Sequence, residues 1–168
     1  MSTLSFDEQI RQHIKAQTAI QSEQAIDWNN RLVWWRLKVE ELLSHMKQWL
    51  SPLIADGTIR MHQDRIQISE EMLGSYELPH LIFTFGSVAL RIKPVGSVII
   101  GAFGRIDVEG PQGKAMLILV TDDDDAPPAQ RREQAKWFIA YPEQRQKLFE
   151  LDEGAFKQLV VDLMGVGD

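Results

Sequence analysis

Four of the chain's five tryptophans fall in one stretch, DWNNRLVWWRLKVEELLSHMKQWLSP, residues 27–52. Their spacing constrains the fold more than any other feature. Trp28, Leu32, Trp35, Val39, Leu42, Met46 and Trp49 follow one another in alternating steps of four and three. Those steps track the helical turn, so the seven side chains form one apolar stripe, widened by Leu43 and Leu50. Arg31, Lys38, Glu41 and Lys47 are expected on the opposite face. Pro52 stops the run, because it lacks an N–H and restricts the residue before it. The spacing predicts a long amphipathic helix that must be covered. Upstream the stripe thins to Ile10, Ile14 and Ile20, which predicts an initial helix with less packing.

From Ile54 to Val120 the period changes to two, cut by glycine-containing turns. TIRMHQDRIQIS predicts two short strands around a His62-Gln63-Asp64 turn. LIFTFGSVALRIK predicts a hairpin closed by Gly86-Ser87, where the tight loop needs positive φ. Leu81, Phe83 and Phe85 share one face of it, and Val88, Leu90 and Ile92 share another. SVIIGAFGRIDVEG and KAMLILV follow, separated by GPQG. Short connections throughout argue for one antiparallel meander of six or seven strands.

After the loop TDDDDAPP, AQRREQA predicts a short helix, KWFIA a strand, YPEQ a turn and RQKLFEL extended chain. DEGAFKQLVVDLMG predicts a terminal helix with Asp152 as N-cap and Gly165 as its stop. Its buried stripe is Phe156, Leu159, Val160 and Leu163. The expected fold class is α+β: a long N-terminal amphipathic helix packed on an antiparallel meander sheet, with a C-terminal helix. Residues 1–50 form the helical segment, 54–120 the sheet, and 126–168 a strand and the last helix. At 168 residues, 1–168 is expected to be one domain.

Composition removes several functions. With no cysteine there is neither a disulfide nor a thiolate metal site. The start, MSTLSFDEQIRQ, has no basic stretch followed by an apolar one, and no apolar run is long enough to span a bilayer. The expectation is a soluble cytoplasmic protein with no membrane partner. Net charge is −6, but without Asp122, Asp123, Asp124 and Asp125 the balance is 20 acidic groups against 18 basic ones. No basic stripe stands out, so nucleic acid is not an expected partner.

Catalytic patterns fail one after another. His13, His45, His62 and His80 show no zinc-binding spacing, and H-E-x-x-H is absent. They are expected to face solvent or make single hydrogen bonds. Four consecutive aspartates diverge and repel rather than converge on a cation, and no EF-hand spacing surrounds them. Gly96, Gly101 and Gly104 do not match a phosphate loop, and Gly113-Lys114 sits between strands, where a turn is needed anyway. There is no G-x-S-x-G and no thiol nucleophile. A carboxylate pair could be assembled from anywhere in a chain, and nothing favours one here. No catalytic, cofactor-binding or metal residue is assigned, and no cofactor is expected.

Two features point outward. Trp34 lies off the apolar stripe, between Arg31 and Lys38, and is either covered by another part of the chain or an anchor for another protein. Asp122–Asp125 would steer association with a basic partner. The Trp-rich helix, followed by GSVALRIKPVGSVIIGAFGRIDVEGPQGKAMLILV and KWFIAYPEQRQKLFELDEGAFKQLVVDLM, resembles small bacterial immunity proteins of polymorphic toxin systems. That resemblance implies a protein that works by binding. The leading expectation is a toxin-neutralising protein that occludes the basic active site of a cognate effector. An adaptor, chaperone or regulatory subunit is the first alternative, and a small-molecule-binding or hydrolytic α+β domain the second.

Overall fold

The computed structural model describes residues 5–98, 102–121, 132–144 and 147–166, with backbone alone for 20–26. One continuous helix, α1, runs over Phe6–Trp49, 44 residues, so the initial and Trp-rich segments are a single element. A capping box starts it. Ser5 Oγ accepts from the Glu8 amide at 3.3 Å, and Glu8 Oε2 accepts from the Ser5 amide at 3.2 Å. A short helix, α2 (Ser51–Ala55), follows directly. Pro52 lies in its first turn, where the missing N–H is no loss. It therefore opens α2 as well as ending α1.

Among the described residues seven strands then form one antiparallel sheet in chain order: β1 (Ile59–Glu70), β2 (Gly74–Phe85), β3 (Val88–Gly96), β4 (Gly104–Gly110), β5 (Gly113–Val120), β6 (Lys136–Ala140) and β7 (Phe149–Glu150). A 3-10 turn, Pro142–Gln144, stands where YPEQ predicted one. Helix α3 (Glu153–Met164) closes the described chain, with the Asp152 carboxylate accepting from the Ala155 amide and Gly165 left-handed at φ 71°. The α+β architecture is as expected. Of the short helix expected in AQRREQA, residues 132–134 are helical, and 129–131 lie outside the described residues.

Two sequence readings are corrected. His62-Gln63-Asp64 is not a turn: β1 is unbroken, with His62 opposite Ile82, Gln63 opposite Leu81 and Asp64 opposite His80. These polar residues face water because β1 is an edge strand, and polarity there does not signal a bend. The hairpin at Gly86-Ser87 is present, with Gly86 at φ 60°. Its register sets Leu81 opposite Ile92, Phe83 opposite Leu90 and Phe85 opposite Val88, so the two apolar sets share one face.

That face carries the core. Phe83, Leu90, Ile92, Ile106, Val108, Leu117, Leu119 and Ile139 are buried beneath Trp35, Val39, Leu42, Leu43 and Met46 of α1 and Phe156, Leu159 and Leu163 of α3. Each such side chain stabilises the fold by about 1.5–3 kcal/mol. Trp49 packs on Phe156 at 5.4 Å between ring centroids, joining the two helices. Glycine at Gly110 lets α3 approach, since a β-carbon there would stand 2.6 Å from the Leu163 carbonyl oxygen. On β2 the buried side changes: Tyr76, Leu78 and His80 point inward, then Leu81 and Phe83. β3 pairs with β2 only from Leu81 onward. Before that point β1 and β2 form a two-stranded ribbon that presents its other side to the core.

Candidate functional site

Around Trp34 the structure builds a polar clamp rather than a free aromatic face. The sequence reading placed Arg31 on the outer side of α1. Instead its guanidinium lies against the sheet, donating from Nε to Ser97 Oγ at 3.0 Å and from Nη2 to the Ser97 carbonyl at 2.6 Å. It lies 5.5 Å from the Trp28 ring centroid and 5.7 Å from that of Phe103. Trp34 meets Phe103 edge-on, at 6.0 Å and 84°. One side of Trp34 is thus covered by the chain itself, and the residue is half-buried.

Beneath, the Glu70 carboxylate collects donors. Oε1 accepts from the Ser97 amide at 3.0 Å and the Val98 amide at 2.7 Å, and Oε2 accepts from the Tyr76 hydroxyl. Ser97, fully buried, donates its hydroxyl to the Phe103 carbonyl at 3.1 Å. Burial lowers the Arg31 pKa, and nearby Arg132 lowers it further, against the raising effect of Glu70 and Asp27. Arg132 is itself buried and donates to Asp27 Oδ1 at 2.8 Å. Burial raises the Tyr76 pKa first, and the Glu70 carboxylate beside it adds to the effect. The hydroxyl therefore stays protonated. These groups satisfy one another, and the network holds Ser97 and Phe103 against α1.

The outer side of α1 is different. Val33 and Leu37, one turn apart, are 60% and 59% exposed, and helical spacing puts Trp34 on their flank. Sequence reasoning singled out Trp34 and missed this pair. The signal was present, because both fall off the apolar stripe. Asp122, Asp123, Asp124 and Asp125 lie outside the described residues.

Two further places carry chemistry. A groove of roughly 480 Å³ lies between the β4–β5 turn, the end of β6 and α3, with Ile139, Phe149 and Leu163 among its apolar lining and Tyr141, Glu143, Gln158 and Asp162 among its polar groups. Gln158 donates to Asp162 at 2.9 Å. Burial raises the Tyr141 pKa, and Asp162 and then Glu143 push it the same way. The groove is large enough for a small polar ligand.

The second is Asp64, placed beside His80 by β1–β2 pairing and beside His62 by its own strand. His80 Nδ1 lies 3.0 Å from Asp64 Oδ1 and His62 Nε2 lies 4.0 Å from Oδ2. His80 is 8% exposed, and its Nε2 is buried without a hydrogen-bond partner. The pair orients the imidazole, but no nucleophile hydroxyl among the described residues bonds to the free nitrogen. Sequence could not show this contact while β1 was read as two strands. His13 and His45 are exposed. Among the described residues no three potential ligands gather to hold a metal.

Comparison of the chain with protein-family models, curated proteins and solved structures finds no match. No described helix is long and apolar enough to cross a membrane.

Proposed function

We propose that this chain acts by binding another protein through the outer side of α1, and that the bound protein is a toxin or effector whose active site it covers. The observation that carries the reading is the exposed Val33–Leu37 pair beside Trp34, on a helix locked into the core by its other side. Apolar and aromatic side chains on a rigid element supply binding energy at small entropic cost. The acidic run Asp122–Asp125 supports a basic partner surface, since opposite charge steers encounter. The test is capture from the native host with the wild-type chain and with Leu37→Asp. A partner retained by the first and lost by the second is then expressed alone. Cells should die without this chain and survive with it. Survival in its absence sinks the toxin reading, and an active partner in the complex favours an adaptor.

A second reading, small-molecule binding, is favoured by the groove at Tyr141 and Asp162. It requires a ligand that protects Tyr141 and is lost in Asp162→Asn.

A further inference from the structure

Ile10, Trp28 and Met46 stand eighteen residues apart along α1, and so do Ile14, Leu32 and Leu50, the last being the residue that caps the helix. Eighteen residues make about five full turns, so each trio lies on one line parallel to the helix axis. Met46 and Leu50 are in the core, and Trp28 and Leu32 are half-buried. Ile10 and Ile14, at the far end of the same two lines, are 44% and 55% exposed. Phe6, one turn before Ile10, extends the row to the start of the helix and is 75% exposed. Gln17, eighteen residues before Trp35, ends the exposed apolar row on its inner side. Every residue from Ser5 to Ala19 is exposed. The apolar face that builds the core therefore reappears, in phase, on an arm that none of the described chain covers.

We infer that this arm pairs with the arm of a second copy of the chain, antiparallel, with Phe6, Ile10 and Ile14 of one against the same three of the other. From Phe6 to Asp27 the helix spans about 33 Å, some six turns. In proteins most of a helix's stability comes from packing one of its faces, yet this arm, closed at its far end by the capping box of Ser5 and Glu8, carries an apolar row with no described chain against it. Charge selects both the occupant and the direction. Asp7 and Glu8 make the first turn acidic, and Arg11 and Lys15 make the next two turns basic. Asp7, Arg11 and Lys15 follow one another four apart, on a single row beside the apolar one. Antiparallel pairing about Ile10 brings this row of one arm beside the same row of the other, with Asp7 of each arm against Lys15 of its partner at the two ends. Asp7, Arg11 and Lys15 have no ion-pair partner among the described residues. The inference is independent of the partner-binding reading, because Val33 and Leu37 lie on the opposite side of α1 from Phe6.

Sedimentation equilibrium of the full chain tests it. The wild type should show a monomer–dimer equilibrium. Ile10→Gln with Ile14→Gln, changes that keep helix propensity, should weaken association at least tenfold while the core tryptophan fluorescence stays unchanged. Arg11→Glu with Lys15→Glu should also weaken it, and adding Asp7→Lys to that variant should restore it. A monomer at all concentrations overturns the inference. So does a dimer that survives the double glutamine change, or an arm that binds anionic phospholipid vesicles while the protein stays monomeric.

Discussion

Trp35 lies so close over Gly104 that a β-carbon at that position would stand 2.1 Å from Cζ3 of the indole. Trp35 is fully buried in the middle of α1 and cannot retreat. Gly104→Ala should therefore destabilise the fold by about 2 kcal/mol, lowering Tm by about 4–8 °C. A thermal melt followed by circular dichroism checks this, and an unchanged Tm would show that the helix slides freely on the sheet.

That contact also shows what was legible beforehand. The stripe from Trp28 to Trp49 and the alternation in β2 to β5 foretold a helix covering a sheet, because burial on one face leaves a period in the sequence. Register leaves no such mark where a strand lies on an edge. The polar residues His62 to Asp64 therefore read as a turn, and the Asp64–His80 contact could not be foreseen. Arg31 was misplaced by its charge. It stands three residues after Trp28 and four before Trp35, on the margin of the stripe, and a long cationic side chain there can reach Ser97. Val33 and Leu37 lie off the apolar stripe beside Trp34, and sequence alone does not show which of the three stays uncovered.

The two adjacent tryptophans should behave differently. Trp35→Ala removes a fully buried side chain and should cost about 3–5 kcal/mol. Trp34→Ala loses an edge-on contact with Phe103 and should cost about 1 kcal/mol. Urea titration of both variants checks the order. Equal losses would mean that Trp34 is as essential to the core as its neighbour.

Glu70 is the acceptor that holds Ser97, Val98 and Tyr76 together. Glu70→Ala leaves those donors without their acceptor and removes a negative charge near Arg31, at a cost of about 2–3 kcal/mol. The same urea experiment should show a lower midpoint with the slope retained.

High pH should act through Tyr76. Its folded pKa is raised above the ordinary value of 10.0, so above that pH the unfolded chain loses the phenolic proton while the folded chain keeps it. Stability is intact below pH 10 and falls as pH rises further. In Tyr76→Phe the fall should be shallower. Tm measured between about pH 8 and pH 11 for both proteins decides it, and parallel curves would remove Tyr76 as the cause.

The outer side of α1 is the proposed recognition surface for a protein. Calorimetric titration of the captured partner into wild-type protein and into Leu37→Asp tests it most directly. The expected result is one-to-one binding by the wild type, weakened at least a hundredfold in a variant whose melting curve is unchanged. Equal affinity for both proteins would contradict it.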